Sequence, residues 1–413
     1  MSVYQKVNNL VNKPVFFSYL IGLFLSTLFL GYAPSSIVFG VFVFFALRYF
    51  FLNKVRVELS IGIVLPIILY LFFCISFFWS VDKDLTVKGL VRTVSLLIIP
   101  LTFSIIPKFS VVNYKKVIDI FTGSNFILGI FLLINAVFSF LKVNSFHVFT
   151  YHDLVSVLDL NAIYVSVFFS FSFIYLLSLN KKSKYQKVAL VLIGLIIMLL
   201  SSKTVIVAFV LCCVIFLLKK VGRKDFKKPR TLAVLALLIM LFTFASFQVV
   251  DRFKVEFKTN IEEVLTKDKF NKVYPWTGTS FRLLQLRILK QQIDEDGILL
   301  KGFGLFASRK DVVDKHLRFN THHGFHTRNY HNMYAQIFSE TGIIGLFILL
   351  AIILYSFTLS FKLKEFTVLG FSIIISFIFL TESFLWVQRG VYFTIILYCL
   401  FNRTAFERKN IEQ

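Results

Sequence analysis

The sequence predicts an all-α polytopic membrane protein of about 12 transmembrane helices, with one large helical loop between the ninth and tenth spans on the outer side. Three observations predict it. Hydrophobic residues make up 57% of the 413 and charged residues only 16%, where a soluble domain carries about 25% charged residues. Twelve apolar runs are candidates to cross a hydrocarbon layer of roughly 30 Å. Lys and Arg are distributed over the intervening segments as the positive-inside bias requires.

The runs begin near Val15, Ser36, Ser60, Leu90, Ile118, Ala162, Val188, Thr204, Thr231, Ile343, Thr367 and Val391. Ten are separated from their neighbours by polar or charged residues. The exception is the pair at Val188 and Thr204, nearly continuous from Val188 to Leu218 and broken only at Ser201-Ser202-Lys203-Thr204, which reads as one over-long helix or as a hairpin. Charge selects the hairpin. A single span would put Lys181, Lys182, Lys184 and Lys187 on one side and the seven basic residues of 219–230 on the other, against the bias.

With both termini inside, 24 of the 45 Lys and Arg residues fall in cytoplasmic segments. The short outer segments hold five: Lys83, Lys88, Lys142, Lys203 and Arg389. The long outer segment, 251–340, holds 15, but long translocated segments count little in the rule. The net charge of +23 is thus chiefly a topology signal, with attraction to anionic inner-leaflet lipid added. Membrane lipids are the expected neighbours. A nucleic-acid partner is not expected, since the charge is spread over loops rather than gathered on one soluble face. Three parts follow: 1–250 with spans one to nine, 251–340 as the loop domain, and 341–413 with spans ten to twelve and a cytoplasmic tail.

The first run is followed by Gly31-Tyr32-Ala33-Pro34 and another span, so it reads as a signal anchor rather than a cleaved leader. Cys74, Cys212, Cys213 and Cys399 all lie in apolar runs, which suggests neither a disulfide framework nor a zinc site.

The first five spans are mostly Phe, Leu, Ile and Val. Polar exceptions gather on the outer side of spans three and four, at Phe78-Trp79-Ser80-Val81-Asp82-Lys83 and at Arg92. Arg92 reads either as a side chain that snorkels to the interface or as an inward-facing cation lining a site. The outer segment from Leu141 to Leu160, with His147, Tyr151, His152 and Asp153, reads as a surface loop, with a lip over a cavity as the second reading. The hairpin arms at 185–200 and 204–219 give about 24 Å of helix each, short of the hydrocarbon thickness. The tip should therefore sit below the outer surface, and Lys203 with it.

The loop domain is far longer than an ordinary connection, which marks it as functional. Ser280 reads as the N-cap of a helix FRLLQLRILKQQI carrying Arg282. Asp294-Glu295-Asp296 reads as a solvated helix end before Gly297, in preference to a divalent metal site. Gly302 and Gly304 let the backbone turn tightly or approach a ligand. Five of the seven histidines lie in this domain. No Cys accompanies them, so no metal is expected. His331 stands where the chain re-enters the membrane, between Tyr330 and Asn332 with Tyr334 beyond, and Glu340-Thr341-Gly342 reads as an elbow before the apolar run.

Taken in order, Ser280-Phe281-Arg282, Lys301-Gly302-Phe303-Gly304, His331-Asn332-Met333-Tyr334 and Glu340-Thr341-Gly342-Ile343-Ile344-Gly345 resemble the O-antigen ligase and O-antigen polymerase superfamily of bacterial surface polysaccharide enzymes. Ser201-Ser202-Lys203 and Phe78-Trp79-Ser80-Val81-Asp82 are similar to further landmarks of that family. The resemblance covers about Trp79 to Gly345. It implies a GT-C-type membrane glycosyltransferase in the bacterial inner membrane, working at the periplasmic face without metal or other cofactor. The implied donor is an undecaprenyl-diphosphate-linked glycan, and the acceptor a lipid A core sugar or another glycan.

The resemblance carries two cations and a histidine onto this chain: His331 and Arg282 as catalytic residues, with Lys203 and Arg282 expected on the diphosphate. Arg92, in its inward-facing reading, is expected on the diphosphate as well. Many members have Ser-Arg at the hairpin tip, and here Lys203 keeps the charge but lacks the planar fork that matches phosphate. Gly302, Gly304, Arg328, Asn332 and Tyr334 complete the expected substrate cleft. The residue chemistry agrees, because departure of a diphosphate needs cations and the acceptor hydroxyl needs a base such as histidine. Ligase is favoured over polymerase by the single late outer loop. A transporter is the alternative class, and it predicts paired halves with broken helices, for which the sequence offers no internal repeat.

Overall fold

A computed structural model of the chain describes residues 11–220 and 260–405. The ninth expected span, from Thr231, the basic residues of 221–230, the start of the loop domain and both termini lie outside the described residues.

The described chain is helical throughout apart from one two-residue strand pair. The helices are α1 (Pro14–Ser26), α2 (Tyr32–Asn53), α3 (Ile61–Ser76), α4 (Lys83–Thr93), α5 (Ser95–Ile105), α6 (Val111–Val143), α7 (Tyr151–Val155), α8 (Ala162–Ser178), α9 (Lys184–Leu200) and α10 (Lys203–Lys220). After the undescribed stretch come α11 (Ile261–Thr266), α12 (Gly278–Asp296), α13 (Arg309–Arg318), α14 (Met333–Leu363), α15 (Phe366–Phe379) and α16 (Gln388–Arg403). The strands, β1 (Phe109–Ser110) and β2 (Thr404–Ala405), pair in parallel.

Among the described residues, four helical stretches are long and apolar enough to cross a membrane: Tyr32–Asn53, Lys83–Ile105, Val111–Val143 and Met333–Leu363. Counting the bent pair Tyr151–Leu158 and Ala162–Ser178 as one span adds a fifth. The chain is an all-α membrane protein. Its helix starts follow local chemistry. Pro14 occupies the first turn of α1, where its missing N–H is not needed. Ser60, Asp82, Ser110 and Asn161 accept backbone N–H groups at the starts of α3, α4, α6 and α8, satisfying donors that the first helical turn leaves open.

Two boundaries differ from the sequence reading. The fourth span starts at Lys83 rather than Leu90, because Asp82 caps a polar helix that runs into the apolar one with a break only at Val94. The cap of α12 is Thr277, not Ser280. Thr277 Oγ1 accepts from Ser280 N at 3.2 Å and Ser280 Oγ accepts from Thr277 N at 2.7 Å, so the serine supplies the returning half of a capping box.

The apolar core centres on α8, α15 and α16, whose side chains are buried around nearly their whole circumference. A helix apolar on all sides belongs in such a position. α9 and α10 both pack on α8, and α14 packs on α3 and α15. The expected hairpin is present: Ser201 adopts a left-handed backbone, φ 46°, that ends α9 and turns the chain into α10. Later in the chain, α11, α12 and α13 form a separate small core around Phe270, Leu284, Ile288, Val312 and Phe319.

Candidate active site

The elbow in α14 anchors the site. Gly342 interrupts the helix with φ 66°, ψ −165°, and at this point Ile343 N donates to Leu299 O at 2.8 Å. Gly302 (φ 66°) lies against it so closely that a Cβ there would fall 2.3 Å from the Glu340 carbonyl carbon. Phe303 N and Gly304 N donate to Ser339 O and Glu340 O at 3.0 and 2.8 Å. The two glycine motifs thus meet backbone to backbone. Gly302 and Gly304, expected in the substrate cleft, are placed in this packing and are not among the residues lining the cavity described below.

The Glu340 carboxylate is buried at the same junction. Its Oε2 accepts from Phe306 N at 2.8 Å and its Oε1 from Trp386 Nε1 at 3.3 Å, with Gln336 Nε2 beside it. Gln336 in turn accepts from Tyr330 N at 3.3 Å and from Ser383 Oγ at 3.2 Å. Tyr330 is locked further by its hydroxyl, 2.6 Å from Gln292 Oε1 and 2.7 Å from Ser339 Oγ. This polar spine fixes Tyr330, next to His331, and Ser383, next to Glu382. His331 itself sits at φ 46°, held by donation from its backbone N–H to Asn329 Oδ1 at 2.9 Å.

Arg282 projects from the first turns of α12 toward the end of α15. Its Nε and Nη2 donate to Thr381 O at 3.1 and 3.0 Å, and Nη1 donates to Gly278 O at 3.1 Å. Nη2 also lies 3.3 Å from Glu382 Oε1. The other oxygen of the same carboxylate, Oε2, is 3.4 Å from His331 Nδ1. Glu382 is only 7% exposed, so burial keeps solvent from screening these contacts. The sequence reading missed Glu382. The signal was available as a carboxylate in the short outer turn between two apolar runs.

Beside Arg282 opens a cavity of about 660 Å³. The hairpin tip lines it with Ser201, Ser202, Lys203 and Thr204, α12 with Gly278, Thr279 and Arg282, and the end of α15 with Phe377, Leu380 and Thr381. Tyr151 of α7 lines it as well, so the segment read first as a surface loop forms part of the cavity wall. Lys203 and Arg282 therefore share one space, with hydroxyl-bearing residues near the cations and apolar ones completing the wall. An anionic head with a hydrocarbon tail fits such a lining.

The remaining expected residues fall around this centre. Asn332 caps α14, accepting from Ala335 N at 3.0 Å. Tyr334 donates its hydroxyl to Ser376 O at 3.1 Å, bracing α14 on α15. Arg328 lies over the rings of Phe281 and Phe325, 5.7 and 5.1 Å from their centroids, and Phe281 in turn meets the His331 ring edge-on at 6.0 Å. Arg92 is exposed, 5.6 Å from the centroid of Phe306, which stacks on Trp386. It does not line the cavity that holds Lys203 and Arg282.

Glu295, Asp296 and His316 are engaged in structure. Lys315, 1% exposed, pairs with Glu295 and, at 3.2 Å, with Asp296. His316 is buried between Gln285 Nε2 at 3.1 Å and Thr321 Oγ1 at 3.0 Å. Burial, aided by the nearby His326, pushes its pKa down to about 4, so it is neutral at ordinary pH.

A search of curated proteins returns no match. Residues 188–350 match the family model described as O-antigen ligase. That stretch carries Lys203, Arg282, the Gly302–Gly304 turn and His331, and over it the chain is similar to the O-antigen ligase family.

Proposed function

We propose that this chain transfers an undecaprenyl-diphosphate-linked glycan to an acceptor sugar, in the manner of an O-antigen ligase, at the periplasmic face of the bacterial inner membrane. The observation that carries the reading is the pair of cations Lys203 and Arg282 in the wall of one cavity, with Glu382 between Arg282 and His331. Twelve spans with both termini inside, on a GT-C-type plan, accord with the distribution of Lys and Arg along the chain.

In the proposed reaction the diphosphate lies against Arg282 and Lys203, whose charge offsets the negative charge that grows as the bond from the anomeric carbon to the diphosphate oxygen breaks. With its proton on Nδ1 directed at Glu382, His331 presents Nε2 to the acceptor hydroxyl and takes that proton as the new glycosidic bond forms. Attack from the face opposite the diphosphate inverts the anomeric centre. The chain's own cations suffice for the leaving group, so the mechanism assigns no metal or cofactor.

The test is a gel of surface glycan from a deletion strain complemented with wild-type protein, His331→Ala or Arg282→Ala. For a ligase, deletion leaves polymer on the carrier lipid and none on lipid A; for a polymerase, a single repeat unit reaches lipid A. Both variants should fail to restore transfer at wild-type protein levels. Full glycan display from either one would overturn the assignment of that residue.

A further inference from the structure

Tyr151 enters the cavity wall at the start of α7, and its backbone is left-handed, φ 50°. An aromatic side chain is disfavoured there because its Cβ crowds the adjoining carbonyl. The surroundings hold it nonetheless. Leu154 and Val155 bury the following turn, Ala162 N donates to His152 Nδ1 at 3.5 Å, and the His152 ring lies 4.0 Å from that of Tyr151. The segment Tyr151–Leu158 is bent by 93° from α8, and Tyr151 is its one residue in the cavity wall. Such strained residues persist where neighbours over-determine them, and they gather at ligand clamps. Ser201 and His331 share the feature, each at φ 46°, so left-handed residues stand at the hairpin tip, at the proposed base and at this wall.

The three kinds of lining divide the cavity chemically. Lys203 and Arg282 suit a diphosphate, and Val207, Phe377 and Leu380 suit a hydrocarbon chain. Tyr151 offers a flat apolar ring face, which packs on the C–H face of a pyranose. We propose that Tyr151 contacts the donor sugar attached directly to the diphosphate and so helps select which glycans are transferred. This rests on the cavity being the diphosphate site.

The test uses the full chain in lipid nanodiscs, with a lipid-linked glycan as donor and undecaprenyl diphosphate, which has no sugar, as competitor. Tyr151→Asn removes the ring but tolerates the left-handed backbone, and Tyr151→Phe keeps the ring. Tyr151→Asn should raise the donor KM roughly tenfold, the scale of one aromatic contact, while inhibition by undecaprenyl diphosphate stays at the wild-type level. Tyr151→Phe should stay close to wild type. An unchanged donor KM in Tyr151→Asn, or an equal loss of undecaprenyl diphosphate inhibition, would overturn the sugar contact. If undecaprenyl diphosphate does not compete even with the wild-type protein, the diphosphate reading fails and takes this inference with it.

Discussion

Arg282 and His331 are joined by a single buried carboxylate, with Glu382 Oε1 3.3 Å from the guanidinium and Oε2 3.4 Å from the imidazole Nδ1. The three side chains come from α12, from the segment before α14 and from the turn after α15. One carboxylate therefore sets the position of the Arg282 guanidinium relative to the His331 imidazole. It also fixes which imidazole nitrogen faces the carboxylate.

Replacing Glu382 by Gln keeps the shape and removes the charge. Arg282 retains its bonds to Thr381 O and Gly278 O, so the fold should survive. Loss of the carboxylate leaves His331 without its orienting partner, and transfer should fall about 10- to 100-fold, less than the roughly 100- to 10,000-fold that a well-placed base contributes. Competition by undecaprenyl diphosphate should change much less. Measured turnover at the wild-type rate in Glu382→Gln would mean that the carboxylate is not part of the reacting constellation.

Lys203 gives the second prediction. It shares the cavity with Arg282 but comes from the hairpin tip, so the two cations reach the ligand from different elements. Lys203→Ala removes a charge-assisted contact and should reduce transfer about 10- to 100-fold. Lys203→Arg should restore it, since the longer side chain keeps the charge and adds a planar fork. Equal activity of the alanine and arginine variants, at matched protein level, would remove Lys203 from the diphosphate site.

What could be read in the sequence was whatever leaves a local mark. The break at Ser201-Ser202 showed as polar residues inside an apolar run, and charge then decided between one helix and two. The elbow at Gly342 showed as a glycine step before an apolar stretch. Glu382 left no such mark as a partner, because it stands 51 residues beyond His331 and 100 beyond Arg282 and two helices lie between. Paired glycines at 302 and 304 announced a close approach but not its object, which is the backbone of Glu340 for Gly302 and Ser80 for Gly304. For Arg92 the sequence left open which way the side chain turns; it is exposed and lies 5.6 Å from the centroid of Phe306, a neighbour more than 200 residues along the chain that no local pattern names.

The glycine contact supports a prediction about stability. A Cβ on Gly302 would lie 2.3 Å from the Glu340 carbonyl carbon, and one on Gly342 would lie 2.3 Å from the Leu300 carbonyl carbon. Both backbones are also left-handed. Gly302→Ala and Gly342→Ala should each lose about 2–5 kcal/mol from strain and overpacking combined, visible as reduced accumulation and a lowered Tm in detergent. Gly297→Ala is the control: its φ is 65° but nothing lies within 4 Å of its added Cβ. It should lose only about 1 kcal/mol, from the backbone alone. Equal losses at all three positions would mean that the contact between the two motifs contributes nothing.

The buried His316 predicts how the loop domain responds to acid. Its pKa is lowered from 6.5 to about 4 by burial, so the unfolded chain binds this proton more tightly than the folded one. Stability is therefore fully present above about pH 6.5 and falls as pH drops from there toward 4. The loss is about 3 kcal/mol in all, at roughly 1.4 kcal/mol for each pH unit between the two values. His316→Gln removes the titration. It also disturbs the bonds to Gln285 and Thr321, so its absolute Tm is not the readout. The comparison is the slope: between pH 7 and pH 5 the wild-type Tm should drop more steeply than that of His316→Gln. Parallel pH dependence in the two proteins would show that His316 is not held neutral by burial, and would place the acid sensitivity elsewhere in the chain.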